Sequence, residues 1–260
     1  MDPRDKVAIV TGAGSGIGRA SARKLCEAGA VVIAADVDEP GARETAREAV
    51  AAGGRCEAVA LDVTDAARFE EVVRDVERRH GGLDILHNNA GVLAPPPLYP
   101  DAPIAVWTRM LDVNLRAVII GTQIGISAMR RRGGGAIVNT ASLAGLSGYP
   151  PDAVYAATKG GVVMLTLSLA PLAESDRIRV NCVCPGATDT GMVRGPGGAA
   201  NAAFSAFIPP DMPLLSPDDV AEGVLTLVRD DSLAGRALKV MVKGPSLEPL
   251  PKGAWRPGTS

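Results

Sequence analysis

Val7-Ala-Ile-Val-Thr-Gly-Ala-Gly-Ser-Gly-Ile-Gly18 contains, within one short stretch, a strand, a glycine-rich turn and the start of a helix. The apolar run Val7–Val10 is typical of a strand that is buried on both faces. The amphipathic pattern that begins after the glycines predicts a helix. Because glycine lets backbone N–H groups and a helix N-terminus come close to a ligand, this order of elements predicts a phosphate or pyrophosphate site.

A second apolar run, Val31–Ala35, follows the predicted helix and ends in Asp36. An acidic residue about 20 residues beyond such glycines is where the ribose hydroxyls of a dinucleotide are held. The glycines are spaced Gly12-x3-Gly16-x-Gly18 rather than in the commoner Gly-x-Gly-x-x-Gly pattern. The competing interpretation, a structural turn followed by an unrelated acid, is disfavoured by the combination of strand, turn, helix and acid.

Composition limits the class of protein. The chain has 260 residues, 47% hydrophobic and only 3% aromatic, so we expect a single domain over residues 1–260 with an aliphatic core. The net charge of −2 and the lack of a long basic block argue against nucleic-acid binding. The first strand begins within a few residues and no apolar run approaches ~18 residues, so we expect neither a signal peptide nor membrane association, and a cytoplasmic location.

The cysteines give no disulfide or metal pattern. Cys26, Cys56, Cys182 and Cys184 form no C-x-x-C pair, and the chain has only two histidines. We therefore expect reduced thiols and no metal site. A redox or zinc role for Cys182-x-Cys184 is the weaker alternative.

Strand and helix patterns alternate along the chain, which predicts a parallel sheet with right-handed crossovers. Thr64 is the expected N-cap of one helix and Ser216 of another. Residues 187–215, rich in Gly and Pro, are expected to form a lid that carries Met192, Phe204 and Phe207, and residues 244–260 a Pro-rich tail. The further predicted strands are Glu57–Leu61, Asp84–His87, Ala136–Ala141, Ile178–Val183 and Arg236–Val242, and the predicted helices include Glu39–Ala52, Ile104–Leu115, Ala117–Arg131 and Ala153–Ala173.

Polar or turn-forming residues end the predicted strands. In a parallel sheet these positions share the carboxyl edge, where open α/β sheets bind ligands. The residues concerned are Thr11, Asp36, Asp62, Asn88, Ser142 and Pro185. The sequence therefore predicts one ligand site along this edge.

Tyr155 and Lys159 lie four residues apart on a predicted helix and share a face. A phenol has a pKa of about 10, and a nearby ammonium and a cationic nicotinamide would both lower that pKa. The pair would then exchange a proton with an alcohol or carbonyl oxygen. Ser142 is expected to hydrogen-bond the same oxygen, and Asn114 to hold a water that relays protons from Lys159.

Together these residues resemble the short-chain dehydrogenases/reductases from roughly Lys6 to Val242. Thr11–Gly18 is similar to the cofactor glycine motif, Asp62-Val63 to the adenine-contacting pair and Asn88–Gly91 to the sheet-stabilising motif. The resemblance implies a single-domain, doubly wound Rossmann fold with a mostly seven-stranded parallel sheet and helices on both faces.

The resemblance also implies site residues. The catalytic tetrad would be Asn114, Ser142, Tyr155 and Lys159, with Tyr155 as general acid/base and Lys159 also on the nicotinamide ribose. The cofactor-binding residues would be Gly12, Ser15, Gly16, Ile17, Gly18, Asp36, Asp62, Val63, Asn89, Ala90, Gly91, Tyr155, Lys159, Pro185, Gly186, Thr188 and Thr190.

NAD is the expected cofactor, because the Asp36 carboxylate would accept both ribose hydroxyls but repel the 2′-phosphate of NADP. We expect NAD(H)-dependent interconversion of a hydrophobic secondary alcohol and a ketone. An NADPH-dependent carbonyl or 3-oxoacyl reductase is the alternative, and a dinucleotide sensor without turnover is a third interpretation, disfavoured because Tyr155 and Lys159 are both present.

Two further features bear on branch and assembly. Val242-Lys-Gly-Pro245 replaces the Asp-Gly-Gly that often ends the last strand of the family, and resembles the 15-hydroxyprostaglandin dehydrogenase-like branch. The resemblance implies a homo-dimer or homo-tetramer, although Pro171 interrupts a helix that the family commonly uses for subunit packing.

Overall fold

The computed structural model describes residues 1–194 and 212–251, and strands and helices alternate through most of this length. The strands are β1 (Val7–Thr11), β2 (Val31–Asp36), β3 (Arg55–Ala60), β4 (Ile85–Asn88), β5 (Gly135–Thr140), β6 (Ile178–Pro185), β7 (Ala237–Met241) and β8 (Gly244–Leu247). The helices are α1 (Gly16–Glu27), α2 (Glu39–Ala51), α3 (Ala66–His80), α4 (Ile104–Leu111), α5 (Ala117–Arg132), α6 (Ala153–Ser168), α7 (Leu172–Ser175), α8 (Gly191–Arg194) and α9 (Pro217–Arg229).

These strands form one sheet in the order β3-β2-β1-β4-β5-β6-β7-β8. Strands β1 to β7 are parallel, as predicted. The prediction missed β8, which pairs antiparallel with β7. Gly244 begins β8 with a φ of 103°, a conformation that favours glycine, so the chain reverses within a short turn. The first residues of the predicted tail therefore belong to the sheet, and residues 252–260 lie outside the described residues.

Helices cover both faces of the sheet, which confirms the doubly wound fold. Along β1, Ala8 and Val10 pack in one core cluster and Val7 and Ile9 in another, because successive side chains of a strand point to opposite faces. The first cluster receives apolar side chains from α1 and α9, and the second from α3 and α5. Strand β1 is buried throughout, which explains its continuous apolar sequence.

Two helix boundaries differ from the prediction for physical reasons. The two helices expected around Asn114 are joined by a π-helical turn, Asp112–Arg116, rather than by a break. The long helix expected over Ala153–Ala173 ends at Ser168, and the short α7 follows. Pro171 explains this end, because proline lacks the N–H that a helix interior requires and its ring clashes with the preceding turn.

One of the two predicted N-caps is wrong. Asp65, not Thr64, caps α3 by accepting a hydrogen bond of 3.0 Å from the backbone of Arg68. Thr64 instead donates its hydroxyl to Asp62 at 2.7 Å. The Ser216 cap of α9 is confirmed, and forms a reciprocal capping box with Asp219.

The strand order reverses between β1 and β4, which leaves a crevice at the carboxyl edge of the sheet. Of the predicted lid, residues 195–211, with Phe204 and Phe207, lie outside the described residues. Across the described ranges, no helix combines the length and apolarity that a bilayer crossing requires. The same ranges hold no group of three or more metal-ligating side chains, and all four cysteines are free.

Candidate active site

A cavity of about 770 Å³ opens at the carboxyl edge of the sheet, around the crevice between β1 and β4. All the predicted site residues line it except Gly18 and Asn114. Those that do are Gly12, Ser15, Gly16, Ile17, Asp36, Asp62, Val63, Asn89, Ala90, Gly91, Ser142, Tyr155, Lys159, Pro185, Gly186, Thr188 and Thr190. The fold therefore brings residues from most of the chain into one site.

The glycine loop between β1 and α1 is shaped for close approach. Gly12 and Gly16 have φ values of 65° and 51°, which residues with a Cβ rarely adopt. A Cβ on Gly18 would lie 1.9 Å from the Gly12 carbonyl oxygen, so Gly18 packs the helix against the loop instead of lining the cavity. The side chain of Ser15, the N-cap of α1, makes no hydrogen bond to the first turn. The loop and helix N-terminus thus fit a phosphate group.

Asp36 is held rigidly at the end of β2. One carboxylate oxygen accepts a hydrogen bond of 2.7 Å from the Gly14 N–H, and the other accepts one of 2.9 Å from the Asp38 N–H. The neighbouring Val37 is 69% exposed and carries no charge. Arg19, the cation near this loop, donates to the Gly14 carbonyl at 2.6 Å. Each Asp36 oxygen keeps acceptor capacity, which fits a pair of ribose hydroxyls.

Asp62 lies after β3 and is fixed by its own loop. Hydrogen bonds from the Thr64 hydroxyl and N–H, with Arg109 nearby, hold the pKa of Asp62 below its usual range. The Arg109 guanidinium lies 3.6 Å from this carboxylate and also lines the cavity. The charged side chains at this end of the cavity are therefore paired or hydrogen-bonded.

Asn89 connects the two sides of the crevice. Its amide nitrogen donates to the Thr11 carbonyl at 3.0 Å, and its amide oxygen accepts from the Thr140 hydroxyl at 3.2 Å. Thr140 in turn lies 2.9 Å from Nε2 of His87, which is fully buried. Burial lowers the pKa of His87 to about 3, so the ring is neutral and serves as a packing and hydrogen-bonding group.

Asn114 lies outside the cavity lining, and its expected role in holding a relay water stays a prediction. Its side-chain oxygen accepts from the Val92 N–H and its nitrogen donates to the Val92 carbonyl, both at 2.8 Å. The side chain therefore holds the backbone loop after β4, and each of its polar atoms already has a partner. A Cβ on Gly91 would lie 3.4 Å from Asn114 Oδ1 and 3.7 Å from Lys159 Nζ, so both side chains lie close to this loop.

Helix α6 presents Tyr155 and Lys159 to the cavity. Asp152 caps the helix by accepting a hydrogen bond of 2.9 Å from the Tyr155 N–H. The Tyr155 hydroxyl hydrogen-bonds Ser142, which follows β5. Lys159 Nζ donates to the Thr140 carbonyl at 2.9 Å and lies 5.8 Å from the centre of the Tyr155 ring.

The protonation of this pair departs from the expectation. Burial raises the pKa of Tyr155 to about 12, and the hydrogen bond with Ser142 offsets only part of that rise. Burial also lowers the pKa of Lys159 to about 8. The predicted lowering of the phenol pKa is therefore not present in the protein alone. The reason is that both groups are desolvated and the ammonium bonds a backbone carbonyl rather than the phenol oxygen.

The segment after β6 closes the cavity from the other side. Thr188 donates to the Gly186 carbonyl at 3.0 Å, and its backbone forms an isolated bridge with Leu215. A Cβ on Gly16 would lie 3.0 Å from a Thr190 methyl carbon, so this segment approaches the glycine loop directly. Pro185 to Thr190 and the glycine loop thus enclose the middle of the cavity.

The end of the cavity around Tyr155 is apolar. The side chains that pack around it form one cluster with Tyr155: Val92, Leu93, Ala94, Leu98, Val106, Trp107, Met110, Ala144, Tyr149 and Val154. Of these, Val92, Leu93, Ala144 and Tyr149 line the cavity. An apolar ring of this kind fits the hydrophobic substrate that the sequence predicts.

Sequence reasoning missed Arg109, Thr140, Ser147 and Tyr149 as site residues. Thr140 carried a usable signal, because it lies within the predicted strand that delivers Ser142. Arg109 and Tyr149 did not, since an arginine in an amphipathic helix and a tyrosine in a loop are ordinary surface residues. Only the packing of α4 and of the loop before α6 reveals their position.

Known proteins match this chain along most of its length. Residues 6–197 match the model of a family described as short chain dehydrogenase. The chain is 38% identical to a cis-4-hydroxycyclohexanecarboxylate dehydrogenase of Sinomonas cyclohexanicum, over 87% of this chain and 90% of that one. It is 35% identical to a 3-oxoacyl-(acyl-carrier-protein) reductase of Thermotoga maritima, over 87% and 92%. It is also 35% identical to a cyclohexanol dehydrogenase of an Acinetobacter strain, over 88% and 89%.

These three relatives do not test the resemblance to the 15-hydroxyprostaglandin dehydrogenase-like branch, which stays a prediction.

Replacing Lys159 by Met should stabilise the fold at neutral pH. The pKa of Lys159 is 10.5 in the unfolded chain and about 8 in the folded protein. Below pH 8 the ammonium is charged in both states, so its burial lowers the free energy of unfolding by about 3 kcal/mol. The gain from removing this ammonium exceeds the roughly 1 kcal/mol lost with the hydrogen bond to Thr140, so the free energy of unfolding should rise by about 2 kcal/mol at pH 7. The gain should disappear as the pH rises from 8 to 10.5.

Urea unfolding of wild type and Lys159→Met at pH 7 and pH 10 measures this difference. Lys243→Met, in the exposed turn before β8, is the control and should change stability little at either pH. An equal effect of Lys159→Met at both pH values would contradict the assigned burial cost.

Proposed function

This chain belongs to the short-chain dehydrogenase family, and on that premise we propose that it interconverts a secondary alcohol and a ketone with NAD(H). One observation carries the proposal. Tyr155, bonded to Ser142 and beside Lys159, faces the same cavity as the glycine loop and Asp36. A proton-transferring group and a dinucleotide site that share one cavity are what hydride transfer between an alcohol and a nicotinamide requires.

The spacing of the strands supports a dinucleotide. Asp36 ends β2 and Ser142 follows β5, and three strand spacings separate β2 from β5 in the sheet. Adjacent strands lie about 4.8 Å apart, so the two ends of the site are about 14 Å apart. The phosphate-fitting loop lies between them, after β1. Gly12 to Ile17 would hold the pyrophosphate, Asp36 the adenosine ribose, Asp62 and Val63 the adenine, and Asn89 to Gly91 with Pro185 to Thr190 the nicotinamide half.

We infer a preference for NAD over NADP from the charge around Asp36. A 2′-phosphate carries close to two negative charges and would lie against this carboxylate. Val37 supplies no compensating cation, and Arg19 is already bonded to the Gly14 carbonyl. NADP would therefore meet repulsion where NAD would find two acceptor oxygens.

In the proposed mechanism the bound dinucleotide supplies the hydride acceptor and, when oxidised, a positive charge. Tyr155 holds the proton at its phenol oxygen, and Ser142 orients the reacting substrate oxygen beside it. Because burial raises the pKa of Tyr155 to about 12, the residue is an acid at neutral pH in the protein alone. Its service as a base in alcohol oxidation depends on positive charge nearby, of which Lys159 supplies one part. Asn114 positions the loop at Val92 and Gly91 that backs Lys159.

We propose a cyclic secondary alcohol as the substrate class. The relatives from Sinomonas and Acinetobacter act, by their names, on hydroxylated six-membered rings. The apolar cluster around Tyr155 provides a surface against which such a ring would pack.

A second candidate, an NADPH-dependent reductase, draws support from the similarity to the Thermotoga enzyme. Asp36 argues against it for the reason given above. Comparison of kcat/KM for NAD and NADP separates the two candidates.

We also propose a location and an oligomeric assembly for this protein. Four free cysteines, three of them buried, fit a reducing compartment such as the cytoplasm. A homo-dimer or homo-tetramer is proposed from family membership.

Replacing Tyr155 by Phe removes the proton-transferring oxygen and keeps the ring. We expect kcat for NAD-dependent oxidation of cyclohexanol to fall about 100-fold or more, the usual contribution of a general acid or base. Formation of NADH measures the rate, and NADH fluorescence measures whether the cofactor still binds. Tyr99→Phe, at an exposed site outside the cavity lining, is the matched control and should leave the rate unchanged. Comparable rates for Tyr155→Phe and wild type would refute the proposed role.

Replacing Asp36 by Ala should shift the cofactor preference toward NADP. The variant loses the acceptor oxygens for the ribose and the charge that repels a phosphate, so kcat/KM for NAD should fall and that for NADP should rise. We expect the NAD-to-NADP ratio to drop by about 10- to 100-fold, in line with the loss of one or two charge-assisted contacts. Asp101→Ala, at an exposed loop position, is the control. An unchanged ratio in Asp36→Ala would remove the argument for NAD.

A further inference from the structure

The substrate end of the cavity differs in charge from the cofactor end. Asp36, Asp62 and Arg109 line the end near β2 and β3. Around Tyr155, the described residues that line the cavity include one basic side chain, Lys159. Its Nζ donates a hydrogen bond to the Thr140 carbonyl. An anionic group on a substrate would therefore lose its hydration at this end without gaining a free cationic side chain from the described residues.

Tyr149 supplies a polar group at this end besides Ser142, which is assigned to the reacting oxygen, and Ser147, which is exposed. Its ring meets the Tyr155 ring edge-on, with 6.3 Å between ring centres and an angle of 63° between planes. The side chain is half-buried, lines the cavity, and has its pKa raised mainly by burial. Among the described residues, no hydrogen bond is formed by the Tyr149 hydroxyl. A partly desolvated hydroxyl without a partner gains most from a ligand that offers an acceptor or donor.

We propose that Tyr149 is a specificity-determining residue that selects neutral ring alcohols with a second oxygen, such as cyclohexanediols or hydroxycyclohexanones. This proposal rests on the proposed function, because it concerns the substrate of the same site. The reacting oxygen lies with Tyr155 and Ser142, and the second oxygen hydrogen-bonds the Tyr149 hydroxyl. The ring between them packs against the apolar cluster, and a carboxylate in place of the second oxygen is rejected.

The test is a comparison of kcat/KM with NAD for cyclohexanol, cyclohexane-1,2-diol, cyclohexane-1,4-diol and cis-4-hydroxycyclohexanecarboxylate. Wild type should favour at least one diol over cyclohexanol by about 3- to 10-fold, the usual effect of one neutral hydrogen bond. It should disfavour the carboxylate by about 100-fold, because an unpaired ionised group is costly to desolvate.

Tyr149→Phe then isolates the hydroxyl. The variant should lose the preference, so that kcat/KM for the diol falls by about 3- to 10-fold relative to kcat/KM for cyclohexanol. Its affinity for NADH, measured by fluorescence, reports whether the cofactor site is intact. Tyr99→Phe is the matched control and should keep that preference. A merely structural role for Tyr149 would lower activity on cyclohexanol and the diols alike, and would not abolish the preference.

The outcomes separate this proposal from the proposed function. If wild type oxidises cyclohexanol with NAD but shows no diol preference, or if Tyr149→Phe retains it, the role of Tyr149 is overturned and the proposed function stands. If the carboxylate reacts as well as cyclohexanol, the charge argument is overturned. If no ring alcohol reduces NAD, both proposals fail together.

Discussion

The contact between the loop after β1 and the loop after β4 is the constraint on which the site depends. A Cβ on Gly12 would lie 2.8 Å from the Ala90 Cα and 3.0 Å from the Asn89 side chain. The two loops are therefore in contact, and a side chain at position 12 would not fit between them. Asn89 donates to the Thr11 carbonyl across the same gap. This contact sits where the strand order reverses, and it fixes the width of the crevice in which the cofactor would lie.

A chain of hydrogen bonds joins that contact to Lys159. The Thr140 hydroxyl donates to Asn89, and the Thr140 carbonyl accepts a hydrogen bond from the Lys159 ammonium. One residue on β5 thus positions both Asn89, beside the glycine loop, and Lys159, beside Tyr155. Lys159 and Tyr155 are both buried in this arrangement. Burial lowers the pKa of Lys159 and raises the pKa of Tyr155, so the charged form of each is disfavoured. Shifted pKa values of buried groups are typical of catalytic sites. Such sites often lower the free energy of unfolding of the protein that carries them.

Much of the fold and most of the cavity lining could be predicted from the sequence, because the patterns that indicate them lie within short stretches of the chain. The strand over Val7–Val10, the helix that begins after the glycines and the Ser216 cap each follow from short-range rules, and these three predictions were confirmed. The predicted site residues other than Gly18 and Asn114 line one cavity because parallel strands must end at one edge.

The sequence did not reveal features that depend on packing. Burial raises the pKa of Tyr155 in the protein alone, and burial is not visible in a spacing of four residues; the expected lowering by a cationic nicotinamide stays a prediction. The hydrogen bond between Asn114 and Val92 and the π-helical turn that carries Asn114 are not visible in sequence periodicity either. Strand β8 was missed because a short, proline-containing segment carries little strand signal.

The proposed function depends on the passage of a hydride from the carbinol carbon of an alcohol to a nicotinamide bound at the carboxyl edge of the sheet. The most direct test is oxidation of cyclohexanol that carries deuterium at its carbinol carbon, with NAD and the wild-type protein. We expect the deuterium to appear in the reduced cofactor, and the reduced cofactor to form in equal amount to the ketone. Ketone formed without deuterium in the cofactor would contradict the proposed function.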